Sequence, residues 1–172
     1  MHRHATDIFT VFVSDGKTTS TFFGQQPSTD SVRAGDVKIR YAGFTHSTRN
    51  VARIPFRAVI LEFTKPQGMA RKDTRPPGRQ CNGESCTRLE HISCTDTYCS
   101  DEVWVDPGGS LPLPAGSAAA VIAVSDYEFS DAASPRGHRR LNGGVEYIAS
   151  SLPQQWTNKA SIPAHVVVVA FH

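Results

Sequence analysis

The sequence has no long hydrophobic run and no large excess of charge of one sign. The longest apolar run, 166–171, is six residues, whereas a membrane-spanning helix needs about 20, so no membrane-spanning segment is predicted. Its 18 basic and 16 acidic side chains nearly balance, which disfavours a nucleic-acid-binding protein with its clustered basic excess. The first residues lack the apolar stretch and cleavage site of a signal peptide. A length of 172 residues allows one medium domain or two small ones.

Long segments with a helical period are also missing, and the pattern predicts an all-β protein. Short apolar or alternating runs predict strands at residues 8–13, 18–23, 37–41, 57–63, 102–105, 118–124, 145–148 and 164–171. The dipeptide Asp15–Gly16 predicts a hairpin turn that pairs the first two strands. The polar, proline-rich range 65–85 is predicted to be a linker. Many short strands with turn signals between them predict a sandwich or barrel.

The four cysteines lie in one short region and form two pairs along the sequence. Four residues separate the two cysteines of each pair, and seven residues separate the pairs. They are Cys81, Cys86, Cys94 and Cys99. Three states are open: two disulfides, a structural zinc site, or free thiols. Two disulfides are favoured, because structural zinc sites usually have tighter cysteine pairs and the surrounding small polar residues suit a stapled loop. Disulfides would place the protein outside the cytosol, periplasmic or secreted, although the chain shows no signal peptide.

The chain contains a candidate internal repeat. Shifting the sequence by 108 aligns residues 35–63 with 143–171 without a gap, with eight identities in 29 positions. The identities include Asn50 with Asn158 and the Ile-Pro pairs at 54–55 and 162–163. A shift of 111 aligns the Val-Ser-Asp triplets at 13–15 and 124–126. We interpret the pattern as two copies of one β unit.

Three histidines form a candidate metal-binding set. His2 and His4 are separated by one residue next to a predicted strand, so their side chains point to one face. His46, in a turn after another strand, could complete a three-nitrogen set that suits Zn, Fe, Mn, Ni or Cu. An exposed terminal pair or a tag remnant is the alternative interpretation of His2 and His4.

The residues around these histidines resemble the two motifs of the cupin family. Residues 35–50 are similar to the second motif, which has the pattern Gly-(x)5-Pro-x-Gly-(x)2-His-(x)3-Asn. All the spacings agree, and the one difference is that Tyr41 replaces the proline. Residues 2–16 resemble the first motif, but Phe9 stands where the family has a metal-binding Glu; Asp7 lies nearby. The resemblance implies a cupin-type jelly-roll β-barrel at 1–64, with His2, His4 and His46 as ligands of a divalent metal (Fe, Mn, Zn or Ni).

Through the repeat, the resemblance extends to residues 86–172 as a second cupin barrel in tandem with the first. This copy is poor in histidine: Gln154 aligns with His46, and the segment 109–116 contains no histidine. It is predicted to be structural or to bind an organic ligand. The interior of the first barrel is predicted to be lined by five residues that either form a ligand pocket or pack as core: Phe9, Val11, Tyr41, Phe44 and Ile60.

The first copy begins part-way through the fold, because the strands at 89–92 and 102–105 have no counterpart in it. Three explanations are open: an upstream start that adds the strands and a signal peptide, strands donated by a partner chain in a homodimer, or residues 65–85 folding back. The first is favoured because it also accounts for the cysteines. Without upstream support, His2 and His4 would be mobile and bind metal weakly or not at all.

Three functions follow from these features. The favoured one is a two-cupin protein whose first barrel holds a divalent metal and a small-molecule ligand, with Lewis-acid or oxygen-activating chemistry at the metal. No general base stands out, so no reaction is assigned. The alternatives are a small-molecule- or sugar-binding protein without metal, and a purely structural or interaction module. No nucleic-acid or membrane partner is expected.

Overall fold

A computed structural model of the chain describes residues 1–73, 75, 77–113, 116–131, 137–149 and 155–172. The described residues form strands and no helix, so the all-β prediction is confirmed. None of them belongs to a helix long and apolar enough to span a membrane. The chain divides into two compact units, Met1–Gln67 (unit 1) and Gly68–His172 (unit 2).

Unit 1 contains seven antiparallel strands in two sheets. The order of the first sheet is β1-β6-β3-β4, and that of the second is β5-β2-β7. Within the described chain, no strand pairs with the second edge of β7. The strands are β1 (His2–Arg3), β2 (Asp7–Phe12), β3 (Gly16–Phe22), β4 (Ser28–Val32), β5 (Val37–Arg40), β6 (Thr45–Asn50) and β7 (Ala58–Phe63).

Unit 2 has the same strand order in its two sheets, with three additional strands. The sheets are β11-β16-β13-β14 and β15-β12-β17-β10-β9-β8, so β17 pairs with β10 on the edge that β7 leaves unpaired in unit 1. The strands are β8 (Gly78–Asn82), β9 (Ser85–Cys94), β10 (Tyr98–Val105), β11 (Ser110–Pro112), β12 (Ala119–Ala123), β13 (Tyr127–Ser130), β14 (His138–Arg140), β15 (Val145–Ile148), β16 (Gln155–Asn158) and β17 (Ala164–Phe171). Strand β8 falls in the range predicted to be a linker.

The hairpin predicted at Asp15–Gly16 is wrong, because β2 and β3 lie in different sheets. The dipeptide marks the crossing of the chain between the sheets. The Asp15 carboxylate accepts the backbone N–H of Ala34 at 3.0 Å, which anchors the crossing to a distant loop. A Cβ on Gly16 would lie 2.7 Å from the Phe56 Cβ, so the glycine serves close packing and not a turn.

The core of unit 2 lies between its two sheets. The central strands β12 and β17 are almost entirely buried, which explains their continuous Ala, Val and Ile runs. Large side chains from the opposite sheet complete the packing, among them Tyr127, Phe129 and Trp156.

The four cysteines form two disulfide pairs across neighbouring strands. Cys81 pairs with Cys86 between β8 and β9, and Cys94 pairs with Cys99 between β9 and β10. Their Cα atoms lie 4.1 and 4.0 Å apart. The pairing supports the disulfide prediction, and both pairs are explained by the antiparallel register, in which the two residues stand directly opposite each other.

Candidate metal centre

The three histidines meet at the edge of the first sheet of unit 1. His2 on β1 stands opposite His46 on β6, and His46 stands opposite Phe22 on β3. Backbone pairing with β6 therefore holds β1 in place. His2 and His4 were expected to be mobile because no upstream strand supports them, and β6 provides that support instead. The structure brings together all three residues that the sequence singles out as metal ligands.

Gly43 positions His4 from the turn between β5 and β6. Its N–H donates to the His4 carbonyl at 2.9 Å, and the His4 N–H donates to the Phe44 carbonyl at 3.0 Å. Gly43 has φ +94°, a left-handed conformation that other residues rarely adopt. The motif glycine thus shapes the turn that places His4 beside β6, and the Phe44 ring stacks on the His4 ring at a centroid distance of 4.7 Å.

The three imidazoles direct their Nε2 atoms towards one another. The Nε2 of His4 lies 2.9 Å from that of His2 and 3.2 Å from that of His46. A single imidazole nitrogen has one proton or one lone pair, so the Nε2 of His4 cannot satisfy both neighbours by hydrogen bonding. Three nitrogens around one metal ion at 2.0–2.1 Å stand about 3.0–3.4 Å apart. The donor set therefore fits a divalent metal.

The Nδ1 atoms of His4 and His46 face other polar groups, while their Nε2 atoms face the cluster. The Nδ1 of His4 lies 3.9 Å from Oε1 of Glu62, and the Nδ1 of His46 lies 3.4 Å from Oγ1 of Thr48. A proton held on Nδ1 leaves the Nε2 lone pair free for a metal. Burial, followed by the positive charges of His2, His4 and Arg40, lowers the pKa of His46, which favours its neutral, ligating form.

Among the described residues, the group of close metal-binding side chains formed by His2, His4 and His46 includes no carboxylate. Asp7 is buried and accepts the N–H groups of Ala42 at 2.6 Å and Gln67 at 2.8 Å, so it anchors loops and does not face the cluster. Glu62 on β7 lies beside His4, but its Oε1 is 3.9 Å from Nδ1 and not from the Nε2 atom that faces the cluster. Glu62 could not be identified from the sequence, because only the register Ile8↔Glu62 between β2 and β7 reveals its position.

A cavity of about 340 Å³ opens beside the histidines within unit 1. Strands of both sheets contribute its walls. Six hydroxyl-bearing residues give it a polar side: Thr10, Thr18, Ser20, Ser28, Ser47 and Thr48. Six apolar side chains also line it: Ile8, Phe12, Phe22, Phe56, Ala58 and Ile60.

The charged residues of the cavity wall leave one cation unneutralised. Lys38 forms an ion pair with Asp30 at 2.8 Å. Arg40 has no carboxylate within ion-pair distance in the described part of the chain, and its guanidinium lies 5.6 Å from the centroid of the Phe22 ring. With neutral histidines the wall carries two positive charges and one negative, a net +1.

The five residues predicted to line the interior are not all at this cavity. Ile60 lines it, and Phe44 packs on His4 and His46. Phe9 and Val11 are fully buried on the face of β2 opposite to Ile8 and Thr10, and Tyr41 is 58% exposed in the turn after β5. The alternation of β2 therefore sends Ile8, Thr10 and Phe12 towards the cavity.

In unit 2, the strand pair that corresponds to β1–β6 carries buried apolar side chains. This pair, β11–β16, holds the same position in the sheet order and sets Leu111 opposite Trp156. Both side chains are 1% exposed. The ring of His138 stacks on Trp156 at a centroid distance of 4.3 Å. Gln154, which aligns with His46, lies outside the described residues.

Solved structures resemble this chain along nearly its whole length, although no protein-family model and no curated protein matches it. AerE from Microcystis aeruginosa is 10% identical with a TM-score of 0.68, over 99% of this chain and 80% of that one. A Cupin 2 conserved barrel domain protein from Leptotrichia buccalis is 10% identical with a TM-score of 0.60, over 100% and 76%. A deletion mutant of Bacillus subtilis oxalate decarboxylase is 12% identical with a TM-score of 0.63, over 98% and 64%. At these identities the likeness concerns the fold.

Proposed function

Because this chain has the cupin fold, we propose that unit 1 is its metal-binding barrel, holding one divalent ion through His2, His4 and His46. The observation that carries the proposal is the convergence of three Nε2 atoms, with spacings of 2.9 and 3.2 Å at His4. Imidazole sets of this kind suit Zn, Fe, Mn or Ni. A metal so bound would leave coordination positions open towards the cavity, where it could act as a Lewis acid or activate oxygen.

Metal loading of the oxidised chain tests this proposal. After removal of bound metal, the protein is dialysed separately against Mn²⁺, Fe²⁺, Zn²⁺ and Ni²⁺, and the metal content per chain is measured. We expect one equivalent of at least one of these ions. For Mn²⁺, loss of the free-ion electron paramagnetic resonance signal reports binding directly. A failure of all four ions to reach stoichiometric occupancy contradicts the proposal.

The ligand that we propose for the cavity is a small organic anion. Arg40 contributes a guanidinium without a carboxylate partner in the described residues, and a bound divalent metal would add two further positive charges. A guanidinium can bind a carboxylate through two parallel hydrogen bonds. The hydroxyl-bearing side offers additional donors, while Ile8 and Ile60 contact an apolar portion of the ligand.

Replacing Arg40 by glutamine is expected to weaken acetate binding to the metal-loaded protein about tenfold. A hydrogen bond to a charged group contributes about 1.5–3 kcal/mol, and the expected loss lies at the lower end of this range because water partly solvates Arg40. Metal content is not expected to fall, since Arg40 repels a cation. Acetate affinity can be followed by its effect on the Mn²⁺ resonance signal. Lys38→Gln is the matched control with a smaller expected loss, because Asp30 already neutralises Lys38. Equal binding of acetate and acetamide to the unaltered protein would refute the anion preference.

A further inference from the structure

A second cluster of metal-binding side chains lies on one face of the large sheet of unit 2. Cys99 on β10 stands opposite Cys94 on β9 and opposite Ala170 on β17. His172 follows Ala170 by two residues, so it lies on the same face of the sheet. Its N–H donates to the Thr97 carbonyl at 2.9 Å, and its Nε2 lies 3.3 Å from the Cys99 sulfur.

The spacing of these three side chains suits a zinc ion when the disulfide is reduced. Tetrahedral ligands at Zn–S 2.3 Å and Zn–N 2.0–2.1 Å stand about 3.5 Å apart for a sulfur–nitrogen pair and about 3.8 Å for two sulfurs. The observed 3.3 Å between His172 and Cys99 differs from this by a few tenths of an ångström. Once the sulfur–sulfur bond is broken, rotation about χ1 lets the two sulfurs separate without a change in the pairing of the strands.

We propose that reduction of the Cys94–Cys99 disulfide creates a zinc site made of Cys94, Cys99 and His172. The disulfide takes up two electrons and two protons and becomes two thiols: a dithiol supplies both and is oxidised to its own disulfide, whereas a phosphine supplies the electrons and becomes the phosphine oxide, with water providing the oxygen and the protons. Zinc then displaces the two thiol protons and binds two thiolates and the His172 imidazole, and a water molecule completes the tetrahedron. A disulfide oxidant reverses the change: the thiolates lose two electrons, the sulfur–sulfur bond forms again and zinc is released.

The other disulfide provides a control within the same chain. Cys81 and Cys86 are also direct cross-strand partners, with nearly the same Cα separation. Among the described residues, however, they belong to no group of three close metal-binding side chains. Two thiolates without an imidazole form an incomplete site, so reduction of this pair is not expected to create comparable zinc affinity.

Cobalt and zinc titrations of the full chain, before and after reduction with a phosphine, test the proposal. Binding of Co²⁺ to thiolates gives an ultraviolet charge-transfer band that nitrogen ligands do not produce, so the barrel site does not interfere. We expect the band only after reduction, with one more zinc bound per chain than in the oxidised protein. Loss of a residue that only hydrogen-bonds to a metal ligand lowers metal affinity by roughly tenfold or more. Loss of a ligand itself is expected to lower it at least as much, so His172→Ala should weaken zinc binding about tenfold or more.

Two double variants separate the cysteine pairs. Replacing Cys81 and Cys86 by serine is expected to leave the band and its affinity intact, whereas replacing Cys94 and Cys99 by serine is expected to abolish both. Near-ultraviolet circular dichroism of each reduced protein verifies that it remains folded. The proposal is overturned by a band that survives in the Cys94/Cys99 variant, by unchanged affinity in His172→Ala, or by no band in the folded, reduced chain.

Discussion

Replacing His46 by alanine is expected to reduce the affinity of unit 1 for its divalent metal by more than about a hundredfold. Loss of even an outer-shell partner of a metal ligand costs about 10–100-fold, and His46 is a proposed ligand at the centre of the His2–His46–Phe22 row. Its removal leaves only the pair His2 and His4. Isothermal titration or equilibrium dialysis of the oxidised protein measures the change.

The thermal midpoint gives a second readout of the same substitution. A metal that binds only the folded chain stabilises it by about 2.7 kcal/mol at a concentration one hundred times the Kd. The metal-induced increase in the midpoint should therefore be present in the unaltered chain and absent in His46→Ala. His172→Ala in the oxidised state is the matched control, because His172 is exposed and lies outside unit 1. It should retain full metal binding.

His46→Ala also discriminates between the proposed metal site and a small-molecule- or sugar-binding barrel that needs no metal. In the metal-free alternative, the unaltered protein binds its ligand without added metal, and chelators leave the affinity unchanged. In the proposed site, acetate binding depends on the metal and disappears with it. Unchanged metal stoichiometry in a folded His46→Ala variant would place the ion elsewhere.

The three histidines could be identified from the sequence because they stand at the histidine positions of the two motifs that resemble the cupin family, and because a His-x-His pair beside a strand shares a face by alternation. The prediction that His46 lies in a turn is wrong, since the structure places it on β6. The lining of the cavity could not be identified in the same way. Both faces of β2 are apolar, with Ile8 and Phe12 on one and Phe9 and Val11 on the other, so periodicity cannot indicate which face meets the cavity.

Strand pairing also could not be predicted from short stretches of the sequence. Polar strands such as β4 and β6 have little apolar patterning, and they form because β3 offers hydrogen-bonding partners on both of its edges. The Asp15–Gly16 dipeptide marks the crossing between the sheets, and whether the chain returns into the same sheet depends on distant residues such as Ala34 and Phe56. Glu62 is hidden for the same reason, since only sheet register brings it to His4.

Asn158 is a buried polar residue whose loss is expected to destabilise unit 2 strongly. Its side chain is 1% exposed. Its Nδ2 donates to the carbonyls of Val105 at 2.9 Å and Ile162 at 3.0 Å, and its Oδ1 accepts the N–H of Ala160 at 3.0 Å. These bonds tie the ends of β10 and β16 to the loop that enters β17. Asn158→Leu removes all three, and each buried group left without a partner costs about 1–3 kcal/mol, so we expect a loss of about 3–5 kcal/mol.

Asn50, the motif residue in unit 1, is the matched control. It makes two of the three bonds, donating to the Ile54 carbonyl at 2.8 Å and accepting the Ala52 N–H at 2.9 Å, and it is only half-buried. Asn50→Leu is therefore expected to cost about 1–2 kcal/mol. In both units the asparagine closes a loop, which gives the last residue of the motif a structural role separate from metal binding.

Urea unfolding can measure the two units separately. Both tryptophans of the chain, Trp104 and Trp156, belong to unit 2, so tryptophan fluorescence reports on unit 2 alone. With a slope of about 1–3 kcal/mol per molar urea, Asn158→Leu should lower the fluorescence midpoint by at least about 1 M. Asn50→Leu should leave that midpoint nearly unchanged and shift only the part of the whole-chain far-ultraviolet dichroism transition that does not coincide with the fluorescence. Equal effects of the two substitutions on fluorescence would show that the third bond and the deeper burial of Asn158 do not determine the stability of unit 2.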